Sequence, residues 1–108
     1  MKLSGTKSEL HAFWDDLLGT QNKLKIAMRA ARKLPQADAT LAPKSDEKDW
    51  IAESFQEAKQ AVYAPPIEPG NGPFTLTSAY KKAAGKLAKQ RVALAGTRLA
   101  NLLNAELR

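Results

Sequence analysis

From Thr75 to Leu107 a single apolar stripe runs through the chain: Tyr80, Ala84, Leu87, Ala88, Val92, Ala95, Leu99, Leu102 and Leu103. Steps of three and four residues place such a set on one face of an α-helix. The segment reads as one long helix that starts near Thr77 or Ser78. Gly85 and Gly96 lie inside it. Each weakens a helix by roughly 1 kcal/mol relative to Ala, so a glycine within a buried stripe usually serves close helix packing. The rest of the chain has to cover that stripe, or something outside the chain does.

Just before it, Ala64 to Pro73 (APPIEPGNGP) holds four prolines and two glycines. Neither a helix nor a central strand survives that composition, and the segment reads as a connecting loop. Upstream the period is again helical. Ser8 to Leu18 carries Leu10, Phe13, Trp14, Leu17 and Leu18 at helical spacing, with Ser8 as the expected N-cap and Gly19 as the stop. Thr20 to Leu34 carries Leu24, Ala27, Met28, Ala31 and Leu34 opposite Lys23, Lys25, Arg29, Arg32 and Lys33, and Pro35 ends it. Gln36 to Lys44 is a loop. Ser45 is the expected cap of a third helix, whose stripe is Trp50, Ser54, Phe55, Ala58, Ala61 and Val62, widened by Ile51. No alternating strand pattern exceeds four residues. The expected architecture is all-α: four helices, the last one long, in a single unit spanning residues 1–108.

Cysteine is absent, which excludes a disulfide scaffold, a cysteine-rich zinc finger, an iron–sulfur site and a thiol nucleophile. No apolar run approaches the roughly 18 residues that span a membrane, and Met1 to Leu10 has no apolar signal-peptide core. The chain as given is expected to be soluble and to carry no export signal. The formal net charge is +6, and it is uneven. Basic and acidic groups cancel over residues 1–80. Residues 81–108 hold Lys81, Lys82, Lys86, Lys89, Arg91, Arg98 and Arg108 against Glu106 alone. Such a stripe can attract a polyanion. A solvated helix face is the commoner origin of a basic run.

Chemistry-bearing residues are few. His11 is the only histidine, and Asp15 follows four residues later. On a helix that spacing puts imidazole and carboxylate on one face, about one turn apart, and both are good zinc ligands. The competing reading is a surface histidine beside a surface carboxylate. Phosphate-binding glycine loops and serine-nucleophile elbows are missing. Asp46, Glu47, Asp49, Glu53 and Glu57 form an acidic helix face, better read as solvated surface than as an acid–base pair. Trp50 and Tyr63 have rings that can stack on bases. For Trp50, core packing is the better reading.

Three segments then share a pattern. Glu9 to Gly19 (ELHAFWDDLLG) resembles the N-L-H-x-x-W-D segment of the zinc-dependent single-strand-specific nucleases, a family of fungal enzymes with bacterial and plant relatives in the phospholipase C/nuclease superfamily. Trp50, Glu53-Ser54, Ala58 and Val62-Tyr63 resemble that family's W-x-x-E-S … A … V-Y helix. Leu76 to Asn104 resembles its last helix, with Tyr80, Gln90, Ala95-Gly96, Arg98-Leu99-Ala100 and Leu102-Leu103-Asn104 in register.

The resemblance implies a mainly helical fold. It also implies a cluster of three zinc ions that activates water to hydrolyse phosphodiester bonds of single-stranded DNA and RNA. His11 and Asp15 then match two ligands of one zinc. The pattern departs at Glu9, where the family usually has Asn. The family's other ligands, an N-terminal Trp, several His and two Asp, lie before this segment. The chain therefore resembles the C-terminal part of a nuclease, whether from a truncated gene, a misplaced start or a deliberate fragment. Family members are usually secreted or periplasmic. Zinc takes about four ligands, so the isolated chain is expected to lack nuclease activity. Helix faces that meet other parts of the family fold are expected to be apolar and to self-associate or bind a partner. No nucleotide-contacting residue is assigned. The alternative is a non-enzymatic helical module that binds nucleic acid or a protein partner, with Lys82, Lys86, Lys89 and Arg91 as the contacts on nucleic acid.

Overall fold

The computed structural model describes residues 7–19, 23–67 and 75–107. Among these, all regular structure is helical: α1 (Lys7–Asp15), α2 (Leu24–Arg32), α3 (Glu47–Glu57), a π-helical turn (Ala58–Val62) and α4 (Ser78–Glu106). The all-α, four-helix expectation holds, and the last helix is the long one. None of these helices is long and apolar enough to cross a membrane.

The helix ends differ from the sequence reading by small steps with local causes. Helix α1 already includes Ser8, so that residue does not cap it. The α-helical part stops at Asp15, and a turn carries the chain to Gly19, whose φ of 98° suits a residue without a Cβ. Gly19 N–H donates to the Asp16 carbonyl at 2.9 Å. Asp46, not Ser45, caps α3, because its carboxylate accepts from Lys48 N–H at 2.9 Å. Thr77 caps α4 through its hydroxyl, which accepts from Tyr80 N–H at 3.1 Å. Helix α2 is shorter than expected; Thr20 to Asn22 lie outside the described residues. Its last turn tightens, with Lys33 and Leu34 N–H donating to the carbonyls of Ala30 and Ala31.

The loop expectation covers Ala64 to Ile67, which form a turn with a cis Pro65–Pro66 bond; residues 68–74 lie outside the described residues. One member of this loop is more than a connector. Ile67 is buried and joins Leu10, Leu76, Tyr80 and Ala84 in the core. Phe13, Trp14 and Leu17 of the α1 segment pack against that cluster. The core thus sits at one end of the molecule, where α1 and the loop meet the first two turns of α4.

Tyr80 is its centre. Its hydroxyl donates to the Val62 carbonyl at 2.6 Å and accepts from Trp14 Nε1–H at 3.1 Å. Val62 needs that donor: four residues on stands Pro66, which has no N–H to give. The rings of Trp14 and Tyr80 meet edge to face, centroids 6.2 Å apart.

Further along α4 the buried stripe departs from the expected one. Leu94 and Arg98 are buried, whereas Val92, Ala95, Leu99, Leu102 and Leu103 are exposed. The buried face follows Tyr80, Ala84, Leu87, Arg91, Leu94 and Arg98. The apolar stripe drifts off it, because an arginine pair takes the inward positions. Helix α2 is also uncovered: every one of its residues is exposed, including Leu24 and Met28, and of its expected stripe only Leu34 is half-buried. Gly85 and Gly96 serve no close packing, since a Cβ built on either meets nothing within 4 Å. The radius of gyration is 15.8 Å, against about 13 Å for a compact chain of this length.

Candidate metal-ligand pair

Leu10, Phe13, Trp14 and Leu17 turn one side of the α1 segment inward. His11 and Asp15 lie about 100° to 140° around the helix from Leu10 and therefore point to solvent. Their side chains are 78% and 64% exposed, and His11 Nε2 stands 2.9 Å from Asp15 Oδ2. The expected pair is thus brought together, on a helix fixed by its aromatic face. Asp15 also borders a groove of about 440 Å³ that runs along Trp14, Leu18, Glu57, Leu87 and Arg91.

The donor chemistry fits zinc as far as it goes: one imidazole nitrogen and one carboxylate oxygen at one helical turn. It does not go far enough. Among the described residues no group of three His, Cys, Asp or Glu stands close enough to hold a metal ion. A three-zinc centre does not fit these residues, and the pair by itself offers two donors where one zinc takes about four.

The acidic and basic stripes seen in the sequence are in part each other's partners. Glu53 on α3 accepts from Arg98 at 2.7 Å and from Arg91 at 3.3 Å. Arg98 also donates to the Leu41 carbonyl at 2.9 Å, and its guanidinium lies 5.3 Å from the centre of the Trp50 ring. Arg91 reaches Ser54 Oγ at 3.3 Å. Trp50 Nε1–H donates to the Lys44 carbonyl at 2.7 Å, and Asn101 Nδ2 to that of Ala42 at 3.4 Å. The Arg98 hydrogen bond, then its charge and those of Arg91, hold the Glu53 carboxyl below its ordinary value despite burial. Burial pushes the Tyr80 hydroxyl up, which keeps it a donor.

This clamp was missed as a clamp. The visible signal was the seven-residue step from Arg91 to Arg98, two helical turns on one face, opposite Glu53 on a helix face read as solvated surface. Trp50 is half-buried against Arg98, in line with the packing role expected for it, and Tyr63 is exposed. Of the expected nucleic-acid contacts, Lys82, Lys86 and Lys89 are exposed, while Arg91 is bound to Glu53 and Ser54.

No curated protein and no solved structure matches the chain. The sequence model described as S1/P1 Nuclease matches residues 1–108, which takes in the His11–Asp15 helix, the Trp50–Glu53 helix and the arginines of α4 together. A match across the whole length, on the elements that the structure joins through Trp14–Tyr80 and Glu53–Arg98, places this chain in the S1/P1 nuclease family.

Proposed function

We propose that the chain is the C-terminal segment of a zinc-dependent endonuclease acting on single-stranded DNA and RNA, and that alone it does not cleave. The observation that carries this reading is the His11–Asp15 pair, 2.9 Å apart on an exposed helix face, with no third ligand near it among the described residues. In a complete centre His11 and Asp15 would be two of the ligands of one zinc, and such an ion would supply Lewis acidity for phosphodiester hydrolysis. Within this chain, Leu10, Phe13, Trp14 and Leu17 fix the helix so that both ligands face outward, and Arg91, Arg98 and Glu53 fix α3 against α4.

Zinc titration by calorimetry, with His11→Ala as control, tests the pair. Two ligands bind weakly, so the expected dissociation constant lies above roughly 10 μM, with binding lost in the variant. Cleavage of single-stranded DNA by the purified chain, abolished by His11→Ala, would overturn the inactivity.

The alternative, a basic module on nucleic acid, draws its support from exposed Lys82, Lys86 and Lys89 on α4 and Lys25, Arg29 and Arg32 on α2. Zinc-independent binding that falls steeply with salt and is lost on neutralising Lys82, Lys86 and Lys89 favours it.

A further inference from the structure

A second cavity, of about 290 Å³, lies between Trp50 on α3 and the face of α4 that carries Arg91, Leu94, Arg98, Leu99 and Leu102. It is remote in kind from the histidine–aspartate pair: its walls are an indole and three leucines, and its charged groups are two guanidiniums.

The charge there does not balance. Glu53 is the one carboxylate within ion-pair distance of either arginine among the described residues, and it serves both. Two cations against one anion leave one positive charge in a part-buried cluster, where it is poorly screened. Arg98 is 7% exposed, so its charge is the worse hydrated of the two. The ligand that offsets the excess is an anion. The remainder of the lining selects its body. Leu94, Leu99, Leu102 and the Trp50 ring offer an apolar slot, and the Arg98 guanidinium already lies within cation–π reach of that ring, 5.3 Å from its centre.

We propose that this cavity binds a small aromatic anion, its ring in the slot beside Trp50 and its carboxylate or phosphate ester on Arg91 and Arg98. Leu99 and Leu102, exposed on the free chain, then become the walls of a filled site.

Calorimetry on the full chain with 1-naphthoate, 1-naphthyl phosphate and the neutral 1-naphthalenemethanol tests it. An anionic probe should bind one to one with a dissociation constant of roughly 0.1–1 mM, and the neutral alcohol about tenfold more weakly. The tighter of the two anions names the head group. Binding should persist in His11→Ala and with chelator present, which separates this site from the metal pair. Arg91→Met should weaken the anions about tenfold and leave the alcohol unchanged. Ala95→Phe fills the slot from an exposed helical position and should abolish binding of all three, with the circular dichroism unchanged. Equal affinity for the alcohol and the anions, naphthoate binding that survives Ala95→Phe, or no binding of any probe would each overturn the proposal.

Discussion

Glu53 ties together three parts of the chain that are far apart in sequence. Through Arg98 it also fixes the loop at Leu41. Removing its carboxylate leaves a buried guanidinium without its counter-charge, and such a loss costs about 3–5 kcal/mol. Glu53→Ala should therefore lower the urea midpoint sharply, whereas Glu47→Ala, on the exposed side of the same helix, should leave it nearly unchanged. The folded carboxyl lies below the ordinary glutamate value of 4.5. Its contribution is complete above 4.5 and is lost as the pH falls from there through the depressed value. Acid titration of stability should show that loss in the parent chain and a shallower one in Glu53→Gln. Gly96 makes the opposite case. It is helical, exposed and has open space where a Cβ would go. Gly96→Ala should stabilise by roughly 0.5–1 kcal/mol, read as a higher thermal midpoint.

Among the elements, α1 and α2 have similar lengths and opposite roles. Both show apolar residues at helical spacing, yet α1 buries its set on Tyr80 and α2 buries none. Met28→Ala on α2 should change stability by less than about 0.5 kcal/mol, against about 2–5 kcal/mol for Leu76→Ala in the core, both measured by denaturant unfolding. Period alone could not separate the two helices, because it reports an apolar face and not what covers it. The same limit explains α4. Its existence and start were legible from the stripe and from Thr77, since these are local properties. Its inward face was not, because the decision between Leu99 and Arg98 rests on Glu53, which is 45 residues from Arg98. The His11–Asp15 pair was legible for the converse reason: two residues one turn apart need only their own helix to meet.

At the scale of the molecule, apolar surface is left over. Leu103 of α4 and Leu24 and Met28 of α2 are all more than two-fifths exposed. We propose that these faces associate with a second copy when the chain is alone in solution. Sedimentation over a hundredfold range of concentration should show a reversible shift to higher mass, reduced by Met28→Glu and Leu103→Glu together. A strictly monomeric chain across that range would remove the proposal. Family membership was legible in full, since the three matching segments span the sequence. The clamp that joins two of those segments was not, because it pairs residues 45 positions apart that no local pattern links.

Helix α4 is held at two stations. Tyr80 anchors it beside Trp14 and Val62, and Arg98 anchors it beside Glu53 and Leu41. At 1.5 Å per residue these stations are about 27 Å apart. The helix behaves as a beam pinned at two points, with Asn101 bonded to Ala42 just past the second and an exposed overhang from Leu102 to Leu107. Two separate pins predict two separate openings: amide hydrogen exchange along α4 should be fastest in the overhang, slower at the arginine station and slowest beside Tyr80, where the aromatic core holds.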